Sequence, residues 1–113
     1  PDVYIMTGSK RGNGQVLPLG LNVSPDEVNK QAQVLLSRTG ISQIPAVAQK
    51  HVYGVYHHFY NHPYNIVGME YLAKDIYPQA FADLDPNATY HHIIKNFTKL
   101  PDDGFVYSWQ QGK

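Results

Sequence analysis

Apolar positions along the chain change period several times, and each change marks an element. Val3-Tyr4-Ile5-Met6 is a short continuous apolar run closed by Thr7-Gly8-Ser9, the pattern of a buried strand ending in a turn. Val16-Leu17-Pro18-Leu19 predicts a second, short strand. Ser24-Pro25-Asp26-Glu27 opens a helix: Ser24 caps, Pro25 suits the first helical position, and Glu27 completes a capping box. Val28, Ala32, Leu35 and Leu36 then share one face, and Gly40 is the expected stop. Ile44-Pro45-Ala46-Val47 connects, with room for one helical turn, to a strand from His51 to Tyr56.

The second half is mostly helical. A run from near Pro63 carries Ile66, Val67, Met69, Leu72, Ala73 and Ile76 around most of its circumference, which predicts a largely buried helix ended by Pro78. Glu70 and Lys74 stand i, i+4 in the order that favours an ion pair. Asp85-Pro86 starts a last helix with Tyr90, Ile93, Ile94 and Phe97. His91 and His92 are adjacent on it, point about 100° apart and are expected at or near the surface. Pro101-Asp102-Asp103-Gly104 reads as a turn, Phe105 to Trp109 as an extended segment, and Gln110 to Lys113 as a frayed end. Strands alternating with helices predict an α/β fold: a three-layer α-β-α lobe, Rossmann-like, with a mostly parallel central sheet and one domain over 1–113.

Between the strand ending at Tyr56 and the helix after Pro63 lies His57-His58-Phe59-Tyr60-Asn61-His62-Pro63-Tyr64-Asn65. Ligands bind open α/β sheets beyond the carboxyl ends of the strands, and a helix N-terminus adds free N–H groups there. Tyr60 and Tyr64 offer rings and hydroxyls, while Asn61 and Asn65 offer directional hydrogen bonds, a mixture suited to a small-molecule site. His57, His58 and His62 are candidate metal ligands, although His58 and His62 straddle a junction instead of sharing a helix.

Composition narrows the chemistry. The 113 residues suffice for one core, and 9 Lys+Arg against 9 Asp+Glu leave no net charge, so nothing points to nucleic acid. Without cysteine there is no disulfide or thiolate chemistry. No apolar run has membrane-spanning length, and no signal peptide is present in the sequence. Ser9, Ser24, Ser37, Ser42 and Ser108 lie in no nucleophile elbow, and no carboxylate pair stands at two strand ends, so no enzyme activity is expected. Lys10-Arg11-Gly12-Asn13-Gly14 is a polar loop without the spacing of a phosphate-binding motif. A start in mid-sheet, at Pro1-Asp2-Val3-Tyr4, predicts a piece of a longer chain, with half a binding site on this lobe.

The run His57 to Val67, continued by Glu70-Tyr71-Leu72-Ala73-Lys74, resembles the C-terminal lobe of iron–siderophore substrate-binding proteins of ABC transporters. In these proteins a long rigid helix joins two α/β lobes. Pro1 to Gly8, Gly40-Ile41, Pro45-Ala46-Val47, Val52-Tyr53 and Phe81-Ala82-Asp83-Leu84-Asp85-Pro86 follow in matching order, so the likeness covers nearly the whole chain. It implies a periplasmic or lipid-anchored cell-surface receptor holding a ferric siderophore, haem or similar iron chelate between its lobes. The partners would be an N-terminal lobe and an inner-membrane ABC permease, with no intrinsic cofactor. By position, Tyr60, Asn61, His62 and Tyr64 would line the cleft, with Thr7, Gly8 and Ser9 at the first strand end. His62 stands where relatives often carry a small residue, which opens direct coordination of iron. The alternatives are a direct metal-ion or haem receptor using His and Tyr ligands, and a lobe of a chelatase-like enzyme.

Overall fold

A computed structural model describes residues 1–10, 16–100 and 104–112. The expected features at Arg11 to Gly14 and at Pro101 to Asp103 lie outside the described residues. Strand β3 (Val52–Tyr56) runs through the middle of a three-stranded sheet. It pairs in parallel with β1 (Tyr4–Gly8), from Tyr4 opposite Val52 to Gly8 opposite Tyr56. On its other edge it pairs antiparallel with β5 (Ser108–Gln110), from Tyr53 opposite Gln110 to Val55 opposite Ser108. The sheet is therefore mixed, its longer ladder parallel. A separate antiparallel ribbon joins β2 (Gly20–Leu21) to β4 (Phe105–Val106).

Helices cover both faces. Val52 of β3 belongs to a core with Met6, Leu17, Leu19, Trp109 and the apolar face of α1 (Pro25–Leu36). Val55 belongs to a second core with Tyr64, Val67, Tyr90, Ile94 and Tyr107, beneath α3 (Asn65–Ile76) and α4 (Pro86–Phe97). Val52 to Val55 are all buried, as a strand covered on both faces requires. The three α-β-α layers follow, and the expected α/β class holds.

Local chemistry sets most boundaries. Ser24 Oγ accepts from the Glu27 N–H at 3.2 Å, and Asp85 Oδ1 from the Ala88 N–H at 3.1 Å, so both predicted caps form. The short α2 (Pro45–Ala48) is the helical turn that the connector allows. Helix α1 stops at Leu36, before Gly40: the Ser37 hydroxyl donates to Val34 O, and the Arg38 N–H turns to Leu35 O. The strand expected at Val16 to Leu19 is displaced to Gly20–Leu21. Leu17 and Leu19 do alternate inward, but the Leu19 N–H bonds to Leu17 O at 2.9 Å, a γ-turn that breaks the extended run. At the other end Gln111 is docked: its N–H donates to Val52 O and its side-chain amide to Val47 O. The frayed end expected from Gln110 is thus tied to β3.

Helix α3 departs most from expectation. Ile66, Met69 and Ile76 are 46%, 58% and 46% exposed, so its apolar circumference is covered on one side only. Glu70 accepts from the Thr89 hydroxyl at 3.1 Å and Lys74 donates to Leu84 O at 2.7 Å, so both side chains bridge toward α4 instead of pairing with each other.

Asp75 on α3 is 9% exposed, and its Oδ2 has no hydrogen-bond partner. Burial pushes its carboxyl up to about 7 from 3.8, against the pull of Lys74. Between those values the folded protein keeps a proton that the unfolded chain has released, so this group's contribution to stability falls as pH rises and levels off above about 7. Asp75→Asn should therefore gain on the wild type between pH 5 and pH 8. At pH 8 it should be more stable by on the order of 1–3 kcal/mol in urea titrations; an equal pH slope in both proteins would contradict the assignment.

Candidate functional site

The carboxyl ends of the parallel strands β1 and β3 open on one side of the sheet. There the chain does not pass straight from strand to helix. His57–Asn61 forms a 3-10 helix, and α3 begins only at Asn65. The Asn65 N–H bonds to His62 O at 3.0 Å and the Val67 N–H to Tyr64 O at 3.0 Å, so the first turn of α3 satisfies part of its own N–H set.

Two contacts fix the 3-10 helix. Phe59 lies on Gly68 of α3, and a Cβ built there would come within 2.3 Å of the Phe59 ring. His57 Nδ1 and Thr7 Oγ1 share a hydrogen bond at 3.1 Å, tying the segment to β1. Between it and ribbon strand β2 lies a cleft of about 610 Å³. Tyr56, His58, Asn61 and His62 form one wall, with Ser9, Lys10 and the backbone from Leu19 to Asn22 opposite. Lys10 Nζ donates to Asn22 O and holds that side together. Among the described residues no carboxylate lines this cleft.

Rings organise the wall. His62 stacks on Tyr64 with centroids 4.8 Å apart and planes 10° from parallel. Tyr56 meets His58 edge-on at 5.6 Å and lies 6.0 Å from His62. Behind them, Tyr64 sits among Tyr90, Phe105 and Tyr107, with centroids 5.8 to 6.2 Å away. The Tyr107 hydroxyl donates to Tyr64 O at 3.3 Å. Burial first, then Tyr56, raises the Tyr64 hydroxyl pKa, and burial raises that of Tyr107 further, so both stay neutral at physiological pH.

The expected site residues thus divide. Ser9, Asn61 and His62 line the cleft together, joined by His58 from the metal candidates. Tyr60 is 60% exposed and stands outside this wall, its ring 6.0 Å from that of His57. Thr7 bonds to His57 and does not line this cleft. Gly8 is buried against the Leu17 backbone, where a Cβ would meet Leu17 O at 2.1 Å. Tyr64 moves from the wall to the core, because its ring closes the second hydrophobic cluster. His57 and His58 meet edge-on with centroids 5.0 Å apart, and among the described residues no three His, Asp or Glu side chains gather to hold a metal ion. The three imidazoles are therefore not a ready-made metal cage.

Sequence reading missed Tyr56 and the 19–22 segment. Tyr56 was legible only as a strand end, although alternation with the inward Val55 turns it toward the other side. The 19–22 segment reaches the cleft through its ribbon with β4, a pairing between distant residues that leaves no local signal.

Gly68→Ala should force Phe59 off α3 and disturb the 3-10 helix, at a cost of about 1–3 kcal/mol in denaturant titrations. Tyr64→Ala should lose about 3–5 kcal/mol through the cavity it leaves. A Gly68→Ala protein as stable as the wild type would show that this contact does not anchor the cleft wall.

No family model matches the chain, and no curated protein matches it. Among solved structures it is similar to the TroA-like periplasmic binding protein FepB from Veillonella parvula. The TM-score is 0.91 and the identity 27%, over 99% of this chain and 32% of that one. The chain thus spans about a third of the length of that protein. The chain has the fold of one lobe of a TroA-like periplasmic binding protein.

Proposed function

We propose that the chain is the ligand-binding lobe of a substrate-binding protein for an ABC importer, and that it takes a ferric siderophore or similar iron chelate. The observation that carries this reading is the 610 Å³ cleft at the strand ends, which combines Lys10, His58, His62, Asn61 and the Tyr56 ring without a carboxylate. Ferric chelates of catecholate or carboxylate type are bulky, flat-sided and anionic. Lys10 supplies charge attraction, the imidazole and phenol rings supply flat apolar area, and Asn61 supplies a directional amide. The likeness to a periplasmic binding protein supports transport over catalysis. It also supports a periplasmic location, with an inner-membrane permease and a second lobe as partners. Anchoring through a lipid is part of the same proposal, as is a small closure between lobes set by a rigid connecting helix.

In this reading His62 is the residue nearest to direct chemistry with the cargo. Its ring is stacked on Tyr64 and borders the cleft, and imidazole is a competent iron ligand. A receptor for a bare metal ion or haem would rest on the same residue. A chelatase-like lobe would need turnover, and among the described residues no carboxylate stands on the cleft wall to pair with its imidazoles as acid and base.

Calorimetric titration with a ferric tris-catecholate chelate tests the assignment. Saturable binding is expected, weakened about tenfold, or 1.4 kcal/mol, by His62→Ala and by His58→Ala. Zinc or free ferric ion should bind far more weakly than the chelate. Binding that the two substitutions together leave unchanged would overturn the site, and tight one-to-one zinc binding would shift the reading to a metal-ion receptor.

A further inference from the structure

The two imidazoles on the cleft wall, His58 and His62, share one ring neighbour among the described residues. Tyr56 meets both, whereas His57 stands beside the first and Tyr64 beside the second. Among the described residues, Tyr56 is also the one partly buried side chain packed against both hydrophobic cores. Its N–H donates to Tyr107 O at 2.8 Å, which fixes the backbone from which the ring projects.

The β2–β4 ribbon seats this ring. Phe105 of β4 meets it edge-on with centroids 5.1 Å apart. Gly20 of β2, in register with Val106 next to Phe105, lies against the same ring. A Cβ built on Gly20 would come within 3.1 Å of Tyr56 Cε1 and 3.6 Å of Cδ1. Gly20 also has φ +124°, in the region that glycine enters without steric cost and that L side chains rarely adopt. Position 20 therefore disfavours a side chain twice, once through its own backbone and once through the ring that rests on it.

We propose, resting for the ligand on the chelate-binding function above, that Gly20 is a positioning residue of the cleft: its bare Cα seats the Tyr56 ring, and the ring sets where His58 and His62 stand. A methyl group at position 20 displaces Tyr56 by a few tenths of an ångström. Close-packed surroundings transmit such a shift, and Tyr56 is packed between two cores, so the displacement reaches both imidazoles. A flat chelate gains from ring contacts only at close fit, because a gap of about 0.5–1 Å forfeits roughly a quarter to a half of the dispersion attraction. Gly20 thus sets affinity through Tyr56.

The positioning step can be read without any ligand, from the imidazole proton and carbon resonances of His58 and His62. Gly20→Ala should shift both pairs of resonances and leave those of His92, on α4, in place. Tyr56→Leu keeps glycine at position 20 and removes the ring, so it should shift the same two residues. Leucine carries no atom at the Cε1 position. Adding Gly20→Ala to Tyr56→Leu should therefore move the two imidazoles little further.

Calorimetric titration with the ferric tris-catecholate chelate gives the second readout. Affinity should fall about tenfold in Gly20→Ala and about tenfold in Tyr56→Leu, and the double variant should bind within about twofold of Tyr56→Leu alone. Backbone strain at position 20 acting by itself would instead weaken binding equally with and without the Tyr56 ring, and that result would overturn the proposal. So would a Gly20→Ala protein whose His58 and His62 resonances match the wild type. Should Gly20→Ala fail to fold, Tyr56→Leu decides, because unchanged imidazole resonances in that variant would also overturn it. A wild type that binds no chelate would sink the proposed function, while the resonances still decide the positioning role.

Discussion

Burial of β3 on both faces is the constraint from which the rest follows. Val52 faces the core under α1, and Val55 faces the core under α3 and α4. A strand covered on both sides has no polar face to present to water, so helices must flank it. Parallel pairing with β1 forces a long crossover, which the 24-to-48 region supplies through α1 and α2. Antiparallel pairing with β5 then locks the C-terminal segment along the other edge.

That arrangement creates two ends with different chemistry. At the carboxyl ends of β1 and β3 the chain needs room to turn, and the 3-10 helix fills the gap before α3. Phe59 can settle there only because position 68 has no side chain. His58, Asn61 and His62 are carried to the cleft by this packing, and Tyr64 backs His62 from within the core. At the opposite end, the last turn of α3 brings Asp75 near Tyr53 and Tyr71, where its Oδ2 meets no hydrogen-bond donor among the described residues. One sheet thus presents a cleft bordered by Lys10, His58 and His62 at one end, and at the other a cavity bordered by Lys74, Asp75 and Asp85 beside Tyr53 and Tyr71.

The exposed side of α3 belongs to the same logic. One stripe of the helix suffices to close the second core, and Ile66, Met69 and Ile76 lie outside it. Amphipathic reading fails for such a helix because periodicity carries no information when apolar residues occur on every side.

Sequence by itself determined the elements whose causes are local. Caps at Ser24 and Asp85, prolines at helix starts, and the apolar runs at Val3 and Val52 place β1, α1, α3, α4 and β3 within a few residues. Asn61 and His62 border the cleft, because a polar run after a central strand lies beyond the sheet. Only the tertiary structure decided which neighbours face that cleft. Tyr60 and Tyr64 look alike in the sequence, yet one is exposed and the other buried, since the turn of the 3-10 helix and the second core rotate them to opposite environments. Contacts made across distant residues also had no local signature: Leu17 against Gly8, β2 against β4, and the isolation of Asp75. Whether a side chain meets a partner depends on elements that come together only in the folded chain.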